Sequence, residues 1–250
     1  MITIKSSRER AIMKTGGAKL TEVLDMLLDE IRPGITPLEL DEKADTMIRK
    51  LGGVPSFQKV EGYRWATCIN INDVVVHGIP TKTIITSGDV VGIDVGMFYK
   101  GFHTDTSWTV CVPPSTATPR ITTFLQAGQD SLARGIEHVV AGNRIGDISQ
   151  AMQAPIEASG FHVVEELVGH GIGRTLHEDP EIPGMLVKPV SKTPVIKPGM
   201  AFALEIIYTM GKPDITIDDD DWTIRTGDGT ISGLFEKTVI VEDHGVVVLT

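Results

Sequence analysis

The chain has 250 residues, 41% of them hydrophobic, and a formal charge of −10. That is enough apolar material for one large core or two fused halves, and it excludes a disordered or fibrous chain. The acidic balance argues against nucleic-acid binding through a broad basic face, which needs clustered Lys and Arg. Cys68 and Cys111, the only cysteines, form no CxxC pair, so neither a disulfide framework nor a structural zinc knuckle is expected. The N-terminus MITIKSSRERAIMK lacks a signal-peptide core and no stretch suits a membrane span, which predicts a cytoplasmic protein without a membrane partner.

From Ser7 onward, Ile12, Leu20, Val23, Leu24, Leu27, Leu28 and Ile31 recur at three- and four-residue steps. This spacing predicts a long amphipathic helix, despite the helix-weakening Gly16 and Gly17, ended by the RPG that follows. Thr36, Pro37 and Glu39 stand where an N-cap, a first helical proline and a capping-box acid belong. A second helix then places Leu40, Ala44, Met47, Ile48 and Leu51 inward and stops at Gly52.

Residues 90–112 predict two strands of a β-hairpin, although each carries an acid that strands disfavour: Asp94 in VVGIDVGMF and Asp105 in FHTDTSWTVCV. With Tyr99 and Lys100 as the two-residue turn, Asp94 falls directly opposite Asp105. Like charges so placed repel, which calls for a cation or a substrate between them. Alternation puts Gly92, Asp94 and Gly96 on one face with His103, Asp105 and Ser107, whereas a slip of one residue would put the two acids on opposite faces. Two solvated aspartates on an exposed face are the plain alternative.

The pattern of the first half returns 108 residues later, Gly34, Leu40, Ala44, Ile48 and Gly52 corresponding to Gly142, Ile148, Met152, Ile156 and Gly160. Phe124 to Val140 forms the preceding helical stretch, and Pro155 is expected to kink the next helix. The turn-rich PPSTATP, Pro113 to Pro119, joins two helix-helix units that each lead into strands. An α+β domain with pseudo-twofold halves, about 1–112 and 120–250, would place its active site at the seam.

Partners for the two aspartates lie in the second half. VGHGIGRTLHEDP sets His170 between glycines, with His177 seven residues on; Glu205 interrupts the apolar run MAFALEIIY, and Glu236 lies in GLFEKTVIVEDHG. An acid in an apolar strand costs desolvation energy unless it is paired with a cation, and a salt bridge to a neighbour such as Lys237 is the competing reading for either Glu. Four carboxylates and an imidazole suit Mn, Fe(II), Co or Zn, and bridging carboxylates can hold two such ions about 3.5 to 4 Å apart. The run Asp218 to Asp221 lacks the spacing of a calcium loop and reads as a solvated turn into WTIRT; Glu178 and Asp179 read as structural.

In this order Asp94, Asp105, His170, Glu205 and Glu236, together with NDVVVHGIP, GFHTDTS and GHGIGRTLHEDP, closely resemble the type I methionine aminopeptidases of peptidase family M24. The resemblance runs from the first helix to the terminal VEDHGVVVLT. It implies the pita-bread fold, a single catalytic domain over 1–250 with a curved antiparallel sheet covered by helices. It implies that Asp94 chelates one of two divalent ions, that His170 and Glu205 bind the other, and that Asp105 and Glu236 bridge them. Metal-activated water would attack the first peptide carbonyl, Glu205 would handle protons, His77 and His177 would contact substrate, and His177 would stabilise the oxyanion. Tyr63, Cys68 and Trp222 match the methionine pocket.

The implied activity is removal of the initiator methionine when the second residue is small, acting on nascent polypeptide N-termini. The implied protein is a monomer, with any ribosome contact falling to the domain surface. The chain departs from the family pattern at Ile206, where proline usually follows the glutamate, and at Leu176 and Val60, where aromatic residues are common. X-Pro aminopeptidases and prolidases share the fold and the ligand set but generally carry an additional N-terminal domain. A non-catalytic binding module on the same fold would characteristically lose ligands, and creatinase-like chemistry does not need the acidic set.

Overall fold

Each half of the chain opens with a helix pair whose ends are written in its turn residues. In the first, α1 (Ser7–Glu30) begins at Ser6 and α2 (Pro37–Lys50) at Thr36, and both have complete capping boxes, with Glu9 and Glu39 as the reciprocal acids. The structure, a computed structural model, describes residues 1–114 and 117–250. In the second half α3 (Pro119–Glu137) starts five residues before the expected Phe124, because Thr118-Pro119 supplies both an N-cap and a first helical residue. Of the expected turn-rich joint, Pro113 and Pro114 form a turn, and residues 115 and 116 lie outside the described residues. The last helix, α4 (Ile145–Ala158), runs through Pro155 in its final turn.

The strands of the first half are β1 (Val54–Pro55), β2 (Thr67–Ile71), β3 (Val74–Val76), β4 (Val90–Tyr99) and β5 (Phe102–Cys111). Those of the second are β6 (His162–Val163), β7 (Val168–Gly171), β8 (Glu178–Pro183), β9 (Ala201–Thr209), β10 (Ile215–Ile217), β11 (Ile224–Thr226), β12 (Ser232–Glu242) and β13 (Gly245–Val248). Ten of them form one antiparallel sheet whose spine runs β1-β4-β5-β12-β9-β7-β8, so the halves meet where β5 pairs with β12. A small second sheet, β10-β11-β3, joins elements of both halves beside it.

Alternation along the strands decides which side chains meet the helices. Val91, Ile93, Val95 and Met97 of β4 pack with Leu20, Leu24, Leu40 and Ile48 of α1 and α2. Phe202, Leu204, Ile206 and Tyr208 of β9 pack with Phe124, Leu132, Ile148 and Met152 of α3 and α4. Trp108 touches both clusters at the seam. Gly17 is explained by close approach: a Cβ there would stand 2.5 Å from the Leu249 carbonyl oxygen, so the glycine lets α1 lie against the C-terminal segment. The repeat seen in the sequence extends to the backbone, since Gly34, Gly52, Gly142 and Gly160 all have left-handed φ values.

The β4–β5 hairpin corrects the expected turn. Tyr99 pairs with Phe102, and the turn residues are Lys100 (φ 48°) and Gly101 (φ 95°), the two left-handed positions that a type I′ turn requires. Asp94 therefore lies opposite Ser107, and Asp105 opposite Gly96, rather than facing each other. The displacement is two residues, so both acids keep the same face of the sheet. Among the described residues no helix is long and apolar enough to cross a membrane.

Candidate active site

The face of the sheet turned away from the helices forms the floor of a cavity of about 510 Å³. All ten residues singled out in the sequence line it: Asp94, Asp105, His170, Glu205 and Glu236 on five different strands, with His77, His177, Tyr63, Cys68 and Trp222 around them. Asp105, His170 and Glu236 are buried and each offers a ligand atom within 4.8 Å of the others. Glu236 pairs across the sheet with both Ser107 and Glu205, and Ser107 with Asp94, so Asp94 and Glu205 flank this trio. Lys237, the suggested salt-bridge partner, points to the opposite face and lies over the Trp108 ring at 5.3 Å.

His170 reaches the floor because glycines bracket it. A Cβ on Gly171 would come within 2.1 Å of the Asp179 carbonyl oxygen, so only glycine allows β7 and β8 this close. The Nδ1 of His170 lies 2.8 Å from the Gly171 carbonyl, which can only accept, so Nδ1 carries the hydrogen and the Nε2 lone pair is free. Burial lowers the pKa of this imidazole to about 4, leaving it neutral and fit to be a ligand at neutral pH. The His177 ring stands edge-on to it, 4.4 Å between centroids, and His77 follows β3 at a left-handed φ of 56°. The surrounding protein lowers the pKa of both, and for His77 the facing His177 adds to this.

Burial raises all four carboxyl pKa values, Asp94 to about 7. For Asp105 and Glu236 the mutual repulsion of the acids adds to burial, and Asp94 does the same for Glu205. One buried oxygen of Asp94 has no hydrogen-bond partner. Unpaired carboxylates gathered in a desolvated space are costly unless a cation offsets them. An oxygen-rich set with one neutral imidazole, plus an orphaned carboxylate oxygen, fits a hard to borderline divalent ion.

One side of the cavity is apolar. Tyr63 donates to the Thr67 carbonyl at 2.8 Å and packs edge-on against Trp222, 5.0 Å between centroids, with Cys68 beside it. Val60 and Leu176 line this wall, whereas Ile206 points to the helix side and is no part of it. Sequence reading missed Phe57, which sits on a short helical turn against Tyr63, and Val76, Ile207 and Leu234; nothing in their local pattern separates them from core residues. Glu178 and Asp179, read as structural, also line the cavity, and Glu178 is held by Lys5, which donates to it at 2.8 Å, and by the backbone of Arg174 at 2.7 Å, which closes the loop that carries His177. Asp218 to Asp221 form the expected turn, with Asp220 accepting from the Trp222 and Thr223 amides and Asp218 paired with Arg225.

A pseudo-symmetric antiparallel sheet with four carboxylates and a histidine at its seam defines a metal-dependent hydrolase. The model of metallopeptidase family M24 matches residues 11–246. Methionine aminopeptidase 1 of Bacillus subtilis is 37% identical over 250 residues, covering all of this chain and 99% of that protein. The methionine aminopeptidase of Clostridium perfringens is 38% identical at the same coverage. The crystal structure of the Thermotoga maritima methionine aminopeptidase superposes with a TM-score of 0.96 at 33% identity, over 100% of this chain and 99% of that one. Prolidase from Pyrococcus furiosus shares the fold, with a TM-score of 0.80 at 20% identity, but this chain covers only 65% of it. The chain belongs to metallopeptidase family M24, and its full-length likeness is to the methionine aminopeptidases.

Proposed function

We propose that the chain is a metal-dependent aminopeptidase that removes the initiator methionine from nascent polypeptides whose second residue is small. The observation that carries this reading is the convergence of four carboxylates and a neutral imidazole on the floor of a cavity with an apolar wall. Asp94, Asp105, His170, Glu205 and Glu236 would hold two divalent ions drawn from Co, Mn, Fe(II) and Zn, with Asp105 and Glu236 shared between them. Such ions, when bound, acidify a water and polarise a carbonyl.

The remaining chemistry belongs to side chains. Burial and the nearby Asp94 carboxylate push the Glu205 carboxyl up, and this group would handle the protons of the reaction. His177 and His77 stand over the floor as neutral imidazoles, each with one N–H to donate; His177 gives its hydrogen to the developing oxyanion and His77 holds the substrate backbone. Tyr63, Cys68 and Trp222, with Phe57, form the wall against which the methionine side chain lies. The chain acts as one catalytic domain over 1–250, as a cytoplasmic monomer, and any ribosome contact uses its outer surface.

The test is product release from Met-Gly-Met-Met and a matched X-Pro peptide, using protein stripped of metal and then supplied with Mn, Fe(II), Co or Zn. Free methionine from the first peptide, with added ion only, supports the reading. Cleavage of the X-Pro peptide alone would move the chain to the prolidase side of the family.

A further inference from the structure

Ser107 is fully buried on β5, and its hydroxyl has no hydrogen-bond partner. Its neighbours on β5 behave differently: Thr106 donates to the Glu236 carbonyl at 3.0 Å and Thr109 to the Leu234 carbonyl at 2.7 Å, both stitching β5 to β12. The Ser107 hydroxyl does no such work. Buried polar groups without partners are rare enough that each calls for a cause.

Its place in the sheet supplies one. Cys68, Asp94, Ser107, Glu236 and Glu205 are successive cross-strand partners on β2, β4, β5, β12 and β9, and so share one face of the sheet. Ser107 thus stands between an acid from each half of the chain, with Cβ atoms of directly opposed residues about 4.5 to 5.5 Å apart. Asp94 also has a buried oxygen without a partner. A rotatable donor and a lone acceptor on adjacent positions, both unpaired, suit a state in which the carboxylate turns to meet a cation.

We propose that Ser107 is a positioning residue for the metal centre, its hydroxyl donating to the Asp94 carboxylate and fixing the direction in which that carboxylate presents its oxygens. This role rests on the metal-centre reading proposed above. Hydrogen bonds of this kind to a ligand typically change metal affinity by about 10- to 100-fold.

The experiment is Mn(II) binding by calorimetry to metal-stripped parent and Ser107→Ala, with thermal melts of both in chelator. The expected result is Mn(II) affinity about 10- to 100-fold weaker in the variant. Its melting temperature in chelator should equal or exceed the parent's, because an unpaired buried hydroxyl adds nothing to the metal-free fold. Equal Mn(II) affinity in the two proteins overturns the proposal even if turnover falls. A lower melt in chelator with unchanged affinity would make Ser107 a structural hydroxyl only. A parent that binds no Mn(II) would remove the metal-centre reading itself and this role with it, so the two failures are told apart by the parent alone.

Discussion

Replacing Asp94 by Asn should stabilise the metal-free protein at alkaline pH while weakening its hold on metal. Burial lifts this carboxyl from its ordinary 3.8 to about 7. Each tenfold change in proton affinity is worth about 1.4 kcal/mol, so the ionised side chain opposes folding by at most about 4 kcal/mol. Its partial exposure to cavity water reduces this to about 2 kcal/mol. Because the folded value is raised, the stabilising effect of the bound proton is fully present below pH 3.8 and is lost as pH rises through about 7. The amide of Asp94→Asn is neutral at every pH and does not suffer that loss. Melts followed by circular dichroism in chelator should show the variant about 4 to 8 °C above the parent at pH 8, with the gap closing towards pH 4. Adding Mn(II) should raise the parent more than the variant, which keeps the ligands of the other ion. A variant that melts below the parent at pH 8 in chelator, or a gap of the same size at both pH values, would refute the reasoning.

Asp105→Asn should lose most activity and Mn(II) binding with the fold intact, because its side chain sits within ligand distance of His170 and Glu236; Asp219→Asn, on the solvated turn, should be silent in the same assays. Lys5→Met leaves the carboxylate of Glu178 without its buried cation, and should cost about 3 kcal/mol in melts and lower kcat through the loop of His177, with Mn(II) affinity unchanged. A kcat equal to the parent's would show that this ion pair does not position the loop. His177→Ala should reduce kcat by about 100-fold or more, with a smaller change in KM, in steady-state peptide assays.

The strongest signals in the sequence were physical contradictions. Acids inside β-branched or apolar strands marked Asp94, Asp105, Glu205 and Glu236, and glycines on both sides marked His170; all five line one cavity. The helix start at Thr36 was legible because a capping box is local, whereas the equivalent box at Ser6 and Glu9 went unread. The hairpin register was misjudged because Lys100 adopts a left-handed φ without being glycine, which moved the turn one residue and each partner two, and only the period of two saved the face. The Lys5–Glu178 pair stayed hidden because its members lie 173 residues apart in sequence, and Phe57 because its local pattern is that of a core residue. The departure at Ile206 matters less to the cavity than its position beside Glu205 suggests, since alternation turns it into the core.

The most direct test of the central claim is methionine release from Met-Gly-Met-Met as Mn(II) is titrated into stripped protein. The five-ligand, two-ion account predicts no release in chelator and activity that rises with added Mn(II) to a plateau by two equivalents. Release that persists in excess chelator, or none despite saturating Mn(II) bound to the protein, would contradict it.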